Sequence, residues 1–247
     1  NDVEKARQLL LHPDYCQRIA AVIIEPIAGN MGVVPATESF LDFLRKSTEK
    51  IGALLIFDEV MSGFRVALKG AQGHFGIKPD LTCFGKIIGG GFPAAAFGGA
   101  KRIMSHLSPL GAVYQAGTLS GNPVAMQAGL TSLELLQLPN FYEDLEKKVA
   151  LLLNPIKELI KKEKMNVALQ QVGSMFTLFF GVPSVCDLEE AKQIDQKAFI
   201  KFFQTLFAQG IYIPPSPYEA WFVSSAHTEE HLIYTKEKIM QFLKNYY

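Results

Sequence analysis

Lys86 enters the run Cys83-Phe84-Gly85-Lys86-Ile87-Ile88-Gly89-Gly90-Gly91-Phe92-Pro93, where almost every neighbour is apolar or glycine. An ordinary surface lysine keeps its ammonium in water and lays only its stem on apolar surface. Here Gly85, Gly89, Gly90 and Gly91 remove side chains on both sides and let backbone or a ligand come close. A lysine desolvated in such a turn has its pKa lowered and becomes an amine nucleophile toward an aldehyde. A snorkelling lysine on a structural turn is the competing reading of this run taken alone.

The upstream sequence favours chemistry. Leu54-Leu55-Ile56-Phe57 is a continuous apolar run, the pattern of a strand buried on both faces, and it ends in Asp58-Glu59-Val60. A carboxylate at the C-terminal end of a parallel strand points into the crevice where open α/β sheets bind ligands. The stretch from Asp58 to Lys86 holds one crossover and a second strand, Leu81 to Phe84, that also ends at the lysine. Two strand ends would then present an acid and a lysine to one crevice. Pyridoxal phosphate needs that pair: a lysine for its aldehyde and an acid to keep its ring nitrogen protonated.

With these residues in view, Phe57-Asp58-Glu59-Val60-Met61-Ser62-Gly63-Phe64-Arg65 and Phe84-Gly85-Lys86-Ile87-Ile88-Gly89-Gly90-Gly91 resemble the class III (fold type I) aminotransferases. Three runs narrow the resemblance to the glutamate-1-semialdehyde aminomutase branch. They are Gly111 to Pro123 with its Gly-Thr and Gly-Asn-Pro, Ser216-Pro217-Tyr218-Glu219-Ala220-Trp221-Phe222, and Ala226 to Glu230. Ornithine- and GABA-type members usually carry glutamine after the Asp-Glu-Val, where this chain has Met61. The resemblance covers essentially the whole chain. Members of the family are much longer at the N-terminus, so these residues are expected to form the C-terminal portion. The segment that grips the cofactor phosphate, stacks on its ring and gates the site is expected upstream.

The resemblance assigns further residues. Val60 is implied to lie against a face of the cofactor ring, and Asn30 to lie close to cofactor or substrate. Gly117 and Thr118 precede a helix starting at Pro123, a reasonable phosphate site on its own terms. In the family that threonine reaches the phosphate of the partner subunit's cofactor, which implies a homodimer with the site at its interface. Glu219 matches a specificity element, standing where an ordinary aminotransferase leaves an arginine free. Trp221 departs from the glycine common there, which puts local packing in doubt.

Composition is compatible with such an enzyme. Charges balance, with 24 basic and 24 acidic residues among 247, so no broad field draws nucleic acid or anionic membrane. A hydrophobic fraction of 49% supports a sizeable core, and no apolar run reaches membrane-span length. The 3 cysteines, Cys16, Cys83 and Cys186, are odd in number and far apart, which fits a reducing, cytoplasmic compartment. Cys83 reads as a small core residue. His74, His106 and His231 lack metal-ligand spacing, so no metal site is expected. The Lys161-Lys162-Glu163-Lys164 cluster reads as a solvated helix end.

The elements that would hold the site alternate. Asp2 caps a short helix and Ala20 to Ile24 reads as a buried strand. Thr37 caps a helix that Gly52 stops, and strands follow at 53–57, 81–84 and 94–97. This rhythm predicts the α/β class, a mostly parallel sheet covered by helices, over residues 1–138. Residues 139–247 read as a smaller α+β domain. Within it a helix runs to about Lys164, strands at 167–172 and 175–182 follow, and a helix spans Ala191 to Gln209. Short strands near Tyr212 and Phe222 and a closing helix from Thr228 complete it.

The implied activity is isomerisation of (S)-4-amino-5-oxopentanoate to 5-aminolevulinate for tetrapyrrole synthesis, using pyridoxal and pyridoxamine phosphate. Two alternatives stay open: an ω-aminotransferase, and a non-catalytic chain that only pairs with a complete subunit. The 247 residues alone are expected to be inactive.

Overall fold

A computed structural model describes residues 1–247. Asp2 accepts from the Lys5 N–H and starts α1 (Val3–Leu10). Thr37 accepts from the Phe40 N–H and starts α2 (Glu38–Ile51), which Gly52 ends in the left-handed region at φ 73°. Strands β1 (Ala21–Ile24), β2 (Ile27–Ala28) and β3 (Val34–Pro35) lie between those helices. After α2 come β4 (Leu54–Glu59), α3 (Gly70–Phe75), β5 (Leu81–Phe84), a single turn of 3-10 helix at Lys86–Gly89 and β6 (Ala96–Gly99). The short α4 (Lys101–Met104) follows, then α5 (Pro123–Leu136), with Asn122 as its N-cap and Pro123 in its first turn.

The chain divides into two compact units, one of Asn1–Pro26 with Ala36–Pro139 and the other of Ile27–Pro35 with Asn140–Tyr247. The first unit is built on a sheet in the order β1-β4-β5-β6. β1, β4 and β5 run parallel and β6 is antiparallel to β5. Leu55 and Phe57 alternate onto the face that packs with Leu10, Leu41 and Leu44 of α1 and α2. Each such buried side chain contributes about 1.5–3 kcal/mol of transfer free energy. β1 departs from the expected buried strand: it is an edge, and Ile23 is 62% exposed. β6 starts two residues later than expected, because the glycine-rich turn runs on through Pro93.

The second unit holds α6 (Phe141–Lys162), β7 (Val167–Val172), β8 (Met175–Phe180), α7 (Leu188–Ala191), α8 (Gln196–Phe207), β9 (Trp221–Phe222) and α9 (Glu229–Tyr246). Its antiparallel sheet runs β7-β8-β9. Val167, Phe176, Leu178 and Phe180 pack with α6, α8 and α9 in one core. The opposite face, Ala168 and Phe179, packs with Val34 and the α7 region. The expected single helix from Ala191 to Gln209 is two helices. Asp187 and Asp195 each cap one, and the Asp195 N–H is held by the Phe180 carbonyl at 2.8 Å. No strand forms at Tyr212, which is exposed beside Pro214 and Pro215. Trp221 is absorbed by the core, stacked on Phe202 with ring centroids 5.8 Å apart.

Candidate active site

Asp80 sets the base of the site. Its Oδ2 accepts the Leu55 N–H at 2.9 Å and pairs with Arg45 at 2.9 Å, while Arg102 reaches Oδ1 at 3.2 Å. This pins the start of β5 beside the start of β4. The register that results places Asp58 beside Cys83 and Glu59 beside Phe84. Asp58 and Lys86 therefore stand at the C-terminal ends of adjacent parallel strands.

The two carboxylates of Asp58-Glu59 have opposite surroundings, because successive residues of a strand face opposite sides. Asp58 is half-buried; its Oδ1 accepts the Val60 N–H at 3.0 Å. Glu59 is fully buried, with the Ala71 N–H at 2.6 Å and the Gln72 N–H at 3.2 Å. Ser62 Oγ and Gln72 Nε2 also donate to it, at 3.2 and 3.3 Å. Gln72 Nε2 lies 3.4 Å from Thr82 Oγ1 on β5. Glu59 thus ties the end of β4 to α3 and, through Gln72, to β5. The sequence reading missed this role; the signal was a second carboxylate that must face the covered side of the sheet.

Lys86 has φ 47°, in the left-handed region, and opens the 3-10 turn. The turn is held from behind by α5. A Cβ on Gly90 would lie 2.5 Å from the Ala128 carbonyl, and one on Gly129 would lie 2.3 Å from the Ile88 carbonyl. Ser132 Oγ donates to Ile87 O at 3.3 Å. Glycine is required here for close approach. The expected burial of Lys86 is corrected: its side chain is exposed, since the flanking glycines offer nothing to cover it. Its ammonium takes part in none of the chain's ion pairs.

Val60 lies against Gly85, where a Cβ would sit 3.2 Å from Val60 Cγ1. Asp58, Val60 and Lys86 are thereby brought together by β4, β5 and the turn. Cys83, between them, has its thiol pKa raised by burial and then by the Asp58 carboxylate. Arg65 donates from Nε to Met61 O at 2.9 Å, and burial pulls its guanidinium down to about 10. Gly117 and Thr118 are exposed in the turn before α5, with the Ser120 N–H donating to the Gly117 carbonyl at 2.9 Å. They lie at the opening of the helix whose middle backs the Lys86 turn.

Asn30 and Glu219 belong to the second unit, both exposed. The backbone on either side of them is joined: Ala220 N donates to Gly29 O at 3.2 Å and Gly32 N to Tyr218 O at 2.7 Å.

The profile of the class-III aminotransferases matches residues 4–245. The chain belongs to that family. This class III chain is 63% identical over 244 residues to the glutamate-1-semialdehyde 2,1-aminomutase of Protochlamydia amoebophila, covering 99% of itself and 56% of that protein. Among solved structures it is similar to an omega-transaminase from Sphaerobacter thermophilus, at 30% identity and TM-score 0.87, covering 98% of this chain and 55% of that one. A transaminase solved with PLP bound is 27% identical with TM-score 0.83, covering 99% and 56% of the respective chains. The class III chain spans little more than half the length of the relatives it matches. No helix in it is long and apolar enough to cross a membrane.

Proposed function

We propose that these residues are the lysine-bearing part of an aminomutase that isomerises (S)-4-amino-5-oxopentanoate to 5-aminolevulinate with pyridoxal and pyridoxamine phosphate. The choice of reaction is carried by the 63% identity with an aminomutase over 99% of the chain. The choice of cofactor is supported by the site itself. Lys86 has no ion-pair partner, and Asp58 commits only Oδ1 to the Val60 N–H. Both strand ends therefore offer an uncommitted group to a ligand, an amine and a carboxylate oxygen.

When bound, the cofactor supplies an amine carrier and an electron sink for charge developing on the substrate carbon. Lys86 Nζ would hold the cofactor when it is in its aldehyde form, and during isomerisation would act as the acid and base that takes and returns the proton at the substrate carbon. Asp58 would hold the proton on the ring nitrogen, and Val60 would back the ring. Gly117 and Thr118 bind phosphate, in the reading where a partner copy shares the site across a homodimer. Asn30 borders substrate, and Glu219 keeps a second carboxylate from being received. The cytoplasm is the proposed location and a small molecule the proposed substrate. The 247 residues alone are proposed to be inactive, since the chain covers 56% of its aminomutase relative.

Transfer between two separate molecules is the second reading, favoured by the likeness to an omega-transaminase. The whole protein, at the length of its relatives, decides between them. Conversion of the amino aldehyde with no second amino donor or keto acid supports isomerisation. Turnover only when both are supplied overturns it.

A further inference from the structure

Gln170 of β7 and Thr177 of β8 are cross-strand partners, and between them they hold one residue of a distant segment by its backbone. Thr177 Oγ1 accepts the Val33 N–H at 3.0 Å and Gln170 Nε2 donates to the Val33 carbonyl at 2.8 Å. Both main-chain groups of Val33, which is 0% exposed, are thus gripped by side chains more than 130 positions away, at sequence separations of 144 and 137. Thr177 Oγ1 also lies 3.4 Å from the Glu219 carbonyl and 2.9 Å from the Phe176 carbonyl, the two acceptors open to its single proton. Gln170 Oε1 is in turn fixed by the Val185 N–H at 2.7 Å.

The turn held this way carries Asn30, and the loop it touches carries Glu219. Gly32, at φ +79°, lets the turn settle on the sheet, where a Cβ would come within 2.2 Å of the Phe179 ring and 3.1 Å of the Thr177 methyl. Thr177 is 1% exposed, so its hydroxyl is sealed from solvent within these bonds. A buried polar group in a core is retained at a cost unless its bonds are made. Here they are made to the two segments that bear the proposed substrate-facing residues.

We propose that Thr177 and Gln170 are positioning residues that set where Asn30 and Glu219 stand, and so tune the choice between isomerisation and transfer to a second molecule. This rests on the reading of Asn30 and Glu219 given above. Where a residue faces substrate, a displacement of about 1 Å can cost about 100-fold in rate.

The test uses the whole protein with Thr177→Val, Thr177→Ser and Gln170→Glu. For each, kcat and KM on the amino aldehyde are measured, together with the ratio of isomerisation to transamination when a keto acid is added. Thr177→Val is expected to lose about 10- to 100-fold in kcat/KM and to shift the ratio toward transamination. Thr177→Ser keeps the hydroxyl and should restore both. Gln170→Glu keeps the acceptor for Val185 but loses the donor to Val33, and should behave like Thr177→Val. A merely structural role would lower the folded fraction while leaving KM and the ratio of the active fraction unchanged. Unchanged KM and ratio in either folded variant overturns the proposal. If the unmutated protein does not isomerise the amino aldehyde, the reading of the reaction fails instead, and is seen to fail before any variant is made.

Discussion

Asp58 stands beside Cys83 in the parallel register of β4 and β5, three positions before the lysine that closes the second strand. That neighbour relation turns a cysteine with no assigned role into a reporter on the carboxylate. The thiol's pKa is raised by burial and by the Asp58 charge, both of which disfavour thiolate. Asp58→Asn removes the second cause and leaves the first. The thiol pKa should fall part of the way, so more thiolate exists at a given pH below it. Alkylation of Cys83 by iodoacetamide, with Cys16 and Cys186 replaced by serine, should therefore be faster in the variant at pH 8. Equal rates would mean that the carboxylate does not face the thiol.

Glu59 is predicted to matter for stability. Its side chain satisfies the Ala71 and Gln72 N–H groups and the Ser62 hydroxyl with no access to water. Glu59→Ala leaves buried donors unpaired at about 1–3 kcal/mol each, so denaturant unfolding should show a loss of at least about 2 kcal/mol. Glu59→Gln keeps an acceptor and should lose less. An alanine variant as stable as the parent would remove the link from β4 to α3.

The contact between α5 and the lysine turn has its own test. Gly129→Ala would put a methyl 2.3 Å from the Ile88 carbonyl. Overpacking of this kind costs about 1–3 kcal/mol, against about 1 kcal/mol gained in helix propensity. The melting temperature should fall. Gly98→Ala, where a Cβ meets nothing within 4 Å, serves as the control and should not lower it. A Gly129→Ala variant at least as stable as the parent would show that the turn does not rest on α5.

Much of this arrangement was legible in the sequence. Asp58 could be placed because Leu54 to Phe57 is apolar without interruption, and Lys86 because glycines surround it. Caps at Asp2 and Thr37 were readable as residues whose side chains bond their own helix starts, and the start of the closing helix at Thr228 was readable too. What was not legible was long-range. Ile27–Pro35 belongs to the second unit, and its two strands of two residues each pair only with each other and are too short to show a period. Its signal lay elsewhere, in β8, where all six residues are buried and both faces need cover. The exposure of Lys86 and of Ile23 was also missed, since apolar and glycine-rich runs report what a segment can bury against, not what lies over it.

Asp58→Asn should separate cofactor binding from turnover in the whole protein. Gly117 and Thr118, not Asp58, are the residues proposed to bind phosphate, so pyridoxal phosphate should still bind, while its ring nitrogen would lose the group proposed to keep it charged. Turnover should fall by about 100-fold or more, in the range for loss of a positioned acid–base partner. Near-normal turnover would make Asp58 a structural residue.

The central claim is that Lys86 is the amine that carries the cofactor. Borohydride reduction of the whole protein with pyridoxal phosphate bound, followed by peptide mapping, tests it most directly. The account predicts a pyridoxyl group on Lys86, absent in Lys86→Ala. A label on Lys69, Lys78 or Lys101 instead would contradict it.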